Sequence, residues 1–181
     1  MRILTLILVL AVAISAAAQT EIPVRSFQSI ELQNGGHVIV RHGNTQRVRV
    51  VRGNLRNSRI RVEEDDHLVI DIGPDHDRVQ IEVTTPALTA FTVSNGGTLR
   101  CIGDFPGRDA IVAHVEQGGT VDIRSIPADA VDASVFQGGR ILTSVRDRLT
   151  ARVDNGGNIT YWGEPRVKKS IRRGGVVVQG D

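Results

Sequence analysis

Aliphatic and polar residues alternate along this chain at a period of two, and pairs of glycines break the alternation. Arg47–Arg52 (RVRVVR), Arg59–Val62 (RIRV), Leu68–Ile72 (LVIDI) and Val79–Val83 (VQIEV) put apolar side chains at every second position. Strands with one buried face do this. No segment sustains a 3.6-residue apolar period, so the pattern predicts an all-β chain with little or no helix. Gln19–Val24 reads as a short lead-in, and residues 25–86 as longer strands joined by irregular turns. Glu64–His67 is predicted to be a hairpin loop and Gly73–Asp77 a further turn.

From Leu88 a shorter repeat takes over. Glycine pairs stand at Gly35-Gly36, Gly96-Gly97, Gly118-Gly119, Gly138-Gly139, Gly156-Gly157 and Gly174-Gly175, the last five separated by 22, 20, 18 and 18 residues. A period near twenty predicts stacked units that bury their apolar faces against one another. Three positions before each pair stand Leu32, Val93, Val115, Val135, Val153 and Ile171. Two positions after each stand Val38, Leu99, Val121, Ile141, Ile159 and Val177. Each unit therefore reads as strand, sharp corner, strand, with Leu99 and Cys101, Val121 and Ile123, and Ile159 and Tyr161 each sharing a face. The glycine pairs are the structural corner residues, placed where the backbone needs positive φ or a neighbouring backbone comes close. An amide precedes five of the six pairs (Asn34, Asn95, Gln117, Gln137 and Asn155), and Arg173 precedes the last. The amides are expected to form a hydrogen-bonded ladder, the alternative being unrelated hairpin turns.

The N-terminal segment changes the picture of where the fold begins. Arg2 precedes an apolar run from Ile3 to Ile14 and then Ser15-Ala16-Ala17-Ala18, the pattern of a cleaved signal peptide over residues 1–18. The run is short for a membrane span, so residues 19–181 are expected as one exported domain with no span after cleavage. Lys and Arg number 22 against 20 Asp and Glu, which gives no support to nucleic-acid binding. The local cluster Arg166, Lys168, Lys169, Arg172 and Arg173 is read as solvated edge protection, or else as a contact to anionic lipid or cell-surface polymer. Cys101 has no disulfide partner, and its register with Leu99 predicts a core thiol.

Two stretches resemble a known family. Val24–Val40 (VRSFQSIELQNGGHVIV) carries a Phe, a strand and a glycine corner before a second strand. Asn155–Pro165 (NGGNITYWGEP) leads to Val167 and the final glycine pair. Both are similar to the GIN domain, the head family of autotransporter adhesins, and the similarity runs over essentially all of residues 19–181. Asn-Gly-Gly and Gln-Gly-Gly stand where the family more often has Gly-Ser-Gly, which keeps a small, turn-permissive corner. The resemblance implies a right-handed β-solenoid in an exported cell-envelope protein, with no established reaction and no cofactor.

Candidate chemistry adds little to that expectation. His67 beside Asp65 and Asp66, and His76 between Asp75 and Asp77, are read as solvated turns, because adjacent residues on an extended chain point in opposite directions. Repeat-encoded calcium is rejected, since only one of the six residues in the register an Asp would need (Ile39, Arg100, Asp122, Leu142, Thr160 and Val178) is acidic. A carbohydrate-active enzyme on a small β-helix is the alternative function. It would need carboxylates about 5 to 9 Å apart in a groove. Asp104, Asp109, Glu116, Asp122, Asp129, Asp132 and Asp154 recur in no single register. Trp162 is read as packing under the last unit rather than as a sugar platform. Neither a Gly-x-Ser-x-Gly, a phosphate loop nor a Cys-x-x-Cys is present. The expected role is a non-catalytic structural or binding module, its partner an envelope protein or cell-surface polymer. Val176-Val177-Val178 forms a short apolar edge that either pairs with another chain or a second copy, or is protected by Arg172, Arg173 and the N-terminal strands.

Overall fold

Alternation at period two leaves a strand with one face to bury, and here every strand finds its place in one sheet. The computed structural model describes residues 20–74 and 78–181. Its strands are β1 (Thr20–Ile22), β2 (Ser29–Gln33), β3 (His37–His42), β4 (Arg47–Arg52), β5 (Arg59–Glu63), β6 (His67–Asp71), β7 (Gln80–Thr85), β8 (Ala90–Ser94) and β9 (Thr98–Ile102). They continue as β10 (Arg108–Glu116), β11 (Thr120–Phe136), β12 (Arg140–Asp154), β13 (Asn158–Trp162), β14 (Arg166–Arg172) and β15 (Val176–Gln179). Strand accounts for 65% of the described residues, which contain no α-helix and a 3₁₀ turn at Glu64–Asp66. The fold class is all-β, and the 15-stranded sheet curls until it nearly closes around its core.

Two parallel series, each in register, build that sheet. The first runs β6, β2, β8, β10, β11, β12, β14 and aligns Ile70, Leu32, Val93, Val115, Val135, Val153 and Ile171. The second runs β7, β3, β9, β11, β12, β13, β15 and aligns Ile81, Val38, Leu99, Val121, Ile141, Ile159 and Val177. The aliphatic columns flanking the glycine pairs thus become continuous interior rows, buried as far as Val153 and Val177. A further row places Phe91, Ala113, Ala133 and Ala151 in register, all without exposed surface. Antiparallel strands finish the N-terminal end: β4 and then β1 beyond β7, and β5 beyond β6.

The bends between the series are alike. At all six, the residue before the glycine pair and both glycines have positive φ, as at Gln117 (56°), Gly118 (86°) and Gly119 (97°). Each bend bonds to its neighbour through the backbone, with Thr120 N–H donating to Gly97 O at 2.9 Å and Arg140 N–H to Gly119 O at 2.9 Å. A Cβ on Gly119 would lie 3.0 Å from Gly97 O, whereas one on Gly118 would meet nothing within 4 Å.

Several expectations are corrected. The N-terminal half is irregular, but the longest strands are β11 and β12, of 17 and 15 residues. They are long because pairing continues across a register shift between Ile123 and Pro127 instead of stopping at the bend. The lead-in contains β1, paired with β4. Among the described residues the amide ladder has one rung, Asn95 Nδ2 to Asn34 Oδ1 at 3.0 Å, and Asn34 then donates to Asp71. Side chains at these bends are at most half-buried, so water competes for every further rung. The N-terminal strands do not cover β14 and β15, which lie at the other end of both series. The signal-peptide segment and Asp75, His76 and Asp77 lie outside the described residues.

Candidate functional site

Residues between the buried rows point outward, and on the first series they form polar columns. Thr92, His114, Ser134, Arg152 and Ser170 lie side by side on β8, β10, β11, β12 and β14. Ser94, Glu116, Phe136, Asp154 and Arg172 make the next column. Where Phe136 interrupts this column, a groove of about 450 Å³ opens between His114, Glu116, Arg152, Asp154 and Arg172. Phe136 is 36% exposed, an aromatic face held at the centre of a charged surface.

The charges around the groove are mostly fixed. Arg152 donates to Asp132 at 2.8 Å, and Asp154 receives Arg172 at 3.4 Å and Arg173 at 3.2 Å. His114 Nδ1 lies 2.8 Å from Ser134 Oγ. Glu116 has no charged partner among the described residues. Glu116 and Asp154 are separated by two strand spacings, about 9.6 Å across the sheet. Asp154 commits both its oxygens to arginines, so only Glu116 is free to meet a ligand.

A second cluster on the same face was invisible in the sequence. His67 is not in a solvated turn: it stands on β6 with Nδ1 2.6 Å from Ser29 Oγ and Nε2 3.1 Å from Glu31 Oε2. Burial alone would raise the Glu31 carboxyl, but hydrogen bonds from Gln33, His67 and Ser94 outweigh it and hold Glu31 below the usual carboxylate range. An ionised Glu31 takes the Nε2 proton as its donor, which leaves Nδ1 to accept from the Ser29 hydroxyl. This is the connectivity of a nucleophile relay. Yet β2 pairs on both sides, with β6 and β8, so its amides serve the ladders instead of facing an oxyanion. Asp65 and Asp66, both at positive φ, shape the preceding turn.

The second series carries a buried charge. Asp122 accepts Arg124 at 2.8 and 2.7 Å and lies 3.3 Å from Arg100. Burial pushes its carboxyl upward, but the Arg124 hydrogen bonds and the two guanidinium charges leave it lowered. Arg124 also lies over the Trp162 ring at 5.0 Å, while the indole N–H donates to Asp181 O at 3.0 Å. Trp162 is therefore packed beside the last residues, one face covered by a cation. Cys101 is 3% exposed, and burial, with Asp122 nearby, pushes its thiol far above the ordinary range. It is a core side chain. The described residues hold no metal-ligand cluster, and no helix among them is long and apolar enough to cross a membrane.

Comparison with known proteins places this architecture. A family model, "Putative auto-transporter adhesin, head GIN domain", matches residues 26–112. The matched region holds the Val24–Val40 signature from Ser26 onward, while Asn155–Pro165 lies beyond it. A solved structure of a putative adhesin from Bacteroides fragilis is similar at 17% identity and a TM-score of 0.52, covering 89% of this chain and 94% of that one. A putative adhesin from Parabacteroides merdae has 14% identity and a TM-score of 0.48 over 91% and 96% of the two chains. A putative lipid binding protein from Parabacteroides distasonis has 12% identity and a TM-score of 0.42 over 90% and 96%. No match is found among curated proteins. The likeness to the Bacteroides structure is one of fold. Residues 26–112 match the model of the GIN head-domain family of adhesin-like proteins.

Proposed function

We propose that this chain is a non-catalytic binding module of the cell envelope, and that the groove across Phe136 is where it takes a polar cell-surface polymer. In this reading residues 1–18 are a signal peptide and residues 19–181 form one right-handed β-solenoid domain of the GIN type. The glycine pairs are its corners, and the chain acts outside the cytoplasm. The parallel series from β8 to β15, with offsets of 17 to 22 residues, support the solenoid. The family match supports an adhesin-like role at the cell surface.

One observation carries the binding site: an exposed aromatic ring in a groove where Arg152, Asp154 and Arg172 are already held by ion pairs and Glu116 is left free. A ring face offers apolar contact to the C–H face of a sugar, and pre-positioned donors orient its hydroxyls at little entropic cost. The test is binding of purified cell-surface polysaccharides to the native protein and to Phe136→Ala, by calorimetry. Phe136→Ala should lower affinity at least about tenfold, a loss of about 1.4 kcal/mol, with the fold unchanged by circular dichroism. Equal binding by both proteins, or none by either, overturns the assignment.

The carbohydrate-active alternative draws on the Glu116–Asp154 separation, which lies near the spacing of inverting glycosidases. Asp154, held by two arginines, is poorly placed to act on a substrate. Release of reducing sugar that disappears in Glu116→Gln would favour the enzyme over the binding module.

A further inference from the structure

The last unit of the sheet ends differently from the first. β14 pairs only with β12 and β15 only with β13, so each keeps one unpaired edge among the described residues. Asn155 N–H donates to Arg172 O, so Arg172 turns its backbone groups back toward the preceding strand. Alternation along β14 then directs the N–H and C=O groups of Val167, Lys169 and Ile171 away from β12. All seven residues of β14 are exposed, and the aliphatic rows end on Val167 and Ile171 at 38% and 41%.

Lys169 decides what this edge accepts. It is the next member of the interior row Phe91, Ala113, Ala133 and Ala151, so a charge stands where every earlier unit has an apolar side chain. Arg166 pairs with Asp147, and Arg172 and Arg173 pair with Asp154. Neither Lys168 nor Lys169 has an acidic partner among the described residues. A further apolar unit placed on this edge would bury the Lys169 ammonium unpaired, and removing a charge from water with no partner opposes that association. A second copy pairing antiparallel through its own β14 would set Lys169 against Lys169. An inward-pointing charge of this kind excludes edge-to-edge association with like strands. It does not exclude a strand that brings the opposite charge.

We propose that the C-terminal edge receives an extended acidic segment of a partner protein, added as one more strand on β14. An Asp or Glu of that segment sits on Lys169, and aliphatic side chains two residues to either side cover Val167 and Ile171. The backbone groups of Val167, Lys169 and Ile171 supply the hydrogen bonds common to any added strand, and the acidic residue supplies register and selectivity. The proposal rests on Lys169 and the free backbone edge of β14 and not on Phe136, two strands away, so Phe136→Ala protein should bind the segment normally.

The probe is a synthetic peptide, Thr-Val-Thr-Glu-Thr-Val-Thr, with a twin carrying Lys in place of Glu. The acidic peptide should slow amide exchange at Val167, Lys169 and Ile171 and bind at least about tenfold more tightly than its twin. In Lys169→Glu the preference should reverse. Equal binding of the two peptides to the native protein, or no change in exchange at those amides, overturns the proposal, and neither result needs the variant to fold. Dimerisation of the native protein that protects the same amides without peptide also overturns it, in favour of a second copy.

Discussion

At Gly118 and Gly119, neighbours of the same type meet different constraints. Both have positive φ, at 86° and 97°. Gly118 faces open space, so a methyl group there costs only the left-handed backbone, about 1–2 kcal/mol. Gly119 faces the preceding bend, where an added Cβ would sit 2.6 Å from Val93 Cγ1 and 3.0 Å from Gly97 O. The valine is packed and the carbonyl belongs to a hydrogen-bonded bend, so neither can withdraw without opening the interior row. Gly118→Ala should lose about 1–2 kcal/mol in urea denaturation, and Gly119→Ala about 3 kcal/mol or more, because overlap adds to strain. Equal losses would show that the second glycine is required for its torsion angle alone.

At the scale of strands, each unit is held mainly by the units on either side, so the last one has half the support of those before it. β11 is paired on both flanks by β9, β10 and β12, whereas β14 has β12 alone. The amides of β11 should exchange only on global unfolding, and those by which β14 bonds to β12 should exchange faster, through fraying of the end. Hydrogen-exchange mass spectrometry with local resolution checks this, and equal protection in the two strands would mean that the end is rigid without a partner. The same nearest-neighbour logic governs what could be read from sequence. Leu99, Val121, Ile141, Ile159 and Val177 announce their column because it repeats with the glycines. His114 and Ser134 share that periodicity, being 20 residues apart, and aligning the polar columns as well as the aliphatic ones would have exposed the groove. His67 with Ser29 and Glu31 was beyond reach, for β6 joins β2 at an offset of 38 that no other unit repeats. Lys169 reads as one member of a basic run until the register places it at the end of an alanine row.

For the molecule as a whole, near-neutral net charge conceals an uneven dependence on protons. Glu31, Glu82 and Asp122 sit on different parts of the sheet, and each carboxyl is lowered despite burial that alone would raise it. Arg41 from β3 and Arg49 from β4 both bond to Glu82 on β7, which ties the antiparallel end to the parallel series. A carboxyl lowered by folding contributes stability that is fully present above its unfolded value, about 4, and disappears as the pH falls through the folded value. The protein should therefore hold its stability from neutral pH to about 5 and lose it progressively below about 4. Glu82→Gln should be less stable than the native protein at pH 7, since Gln cannot hold two guanidinium groups, and the two should converge as the native carboxyl is protonated. Urea denaturation of both proteins at a series of pH values measures the gap directly. A gap that stays constant from pH 7 to pH 3 would mean that Glu82 acts through shape instead of charge, and that the arginines on either side are held by their strands alone.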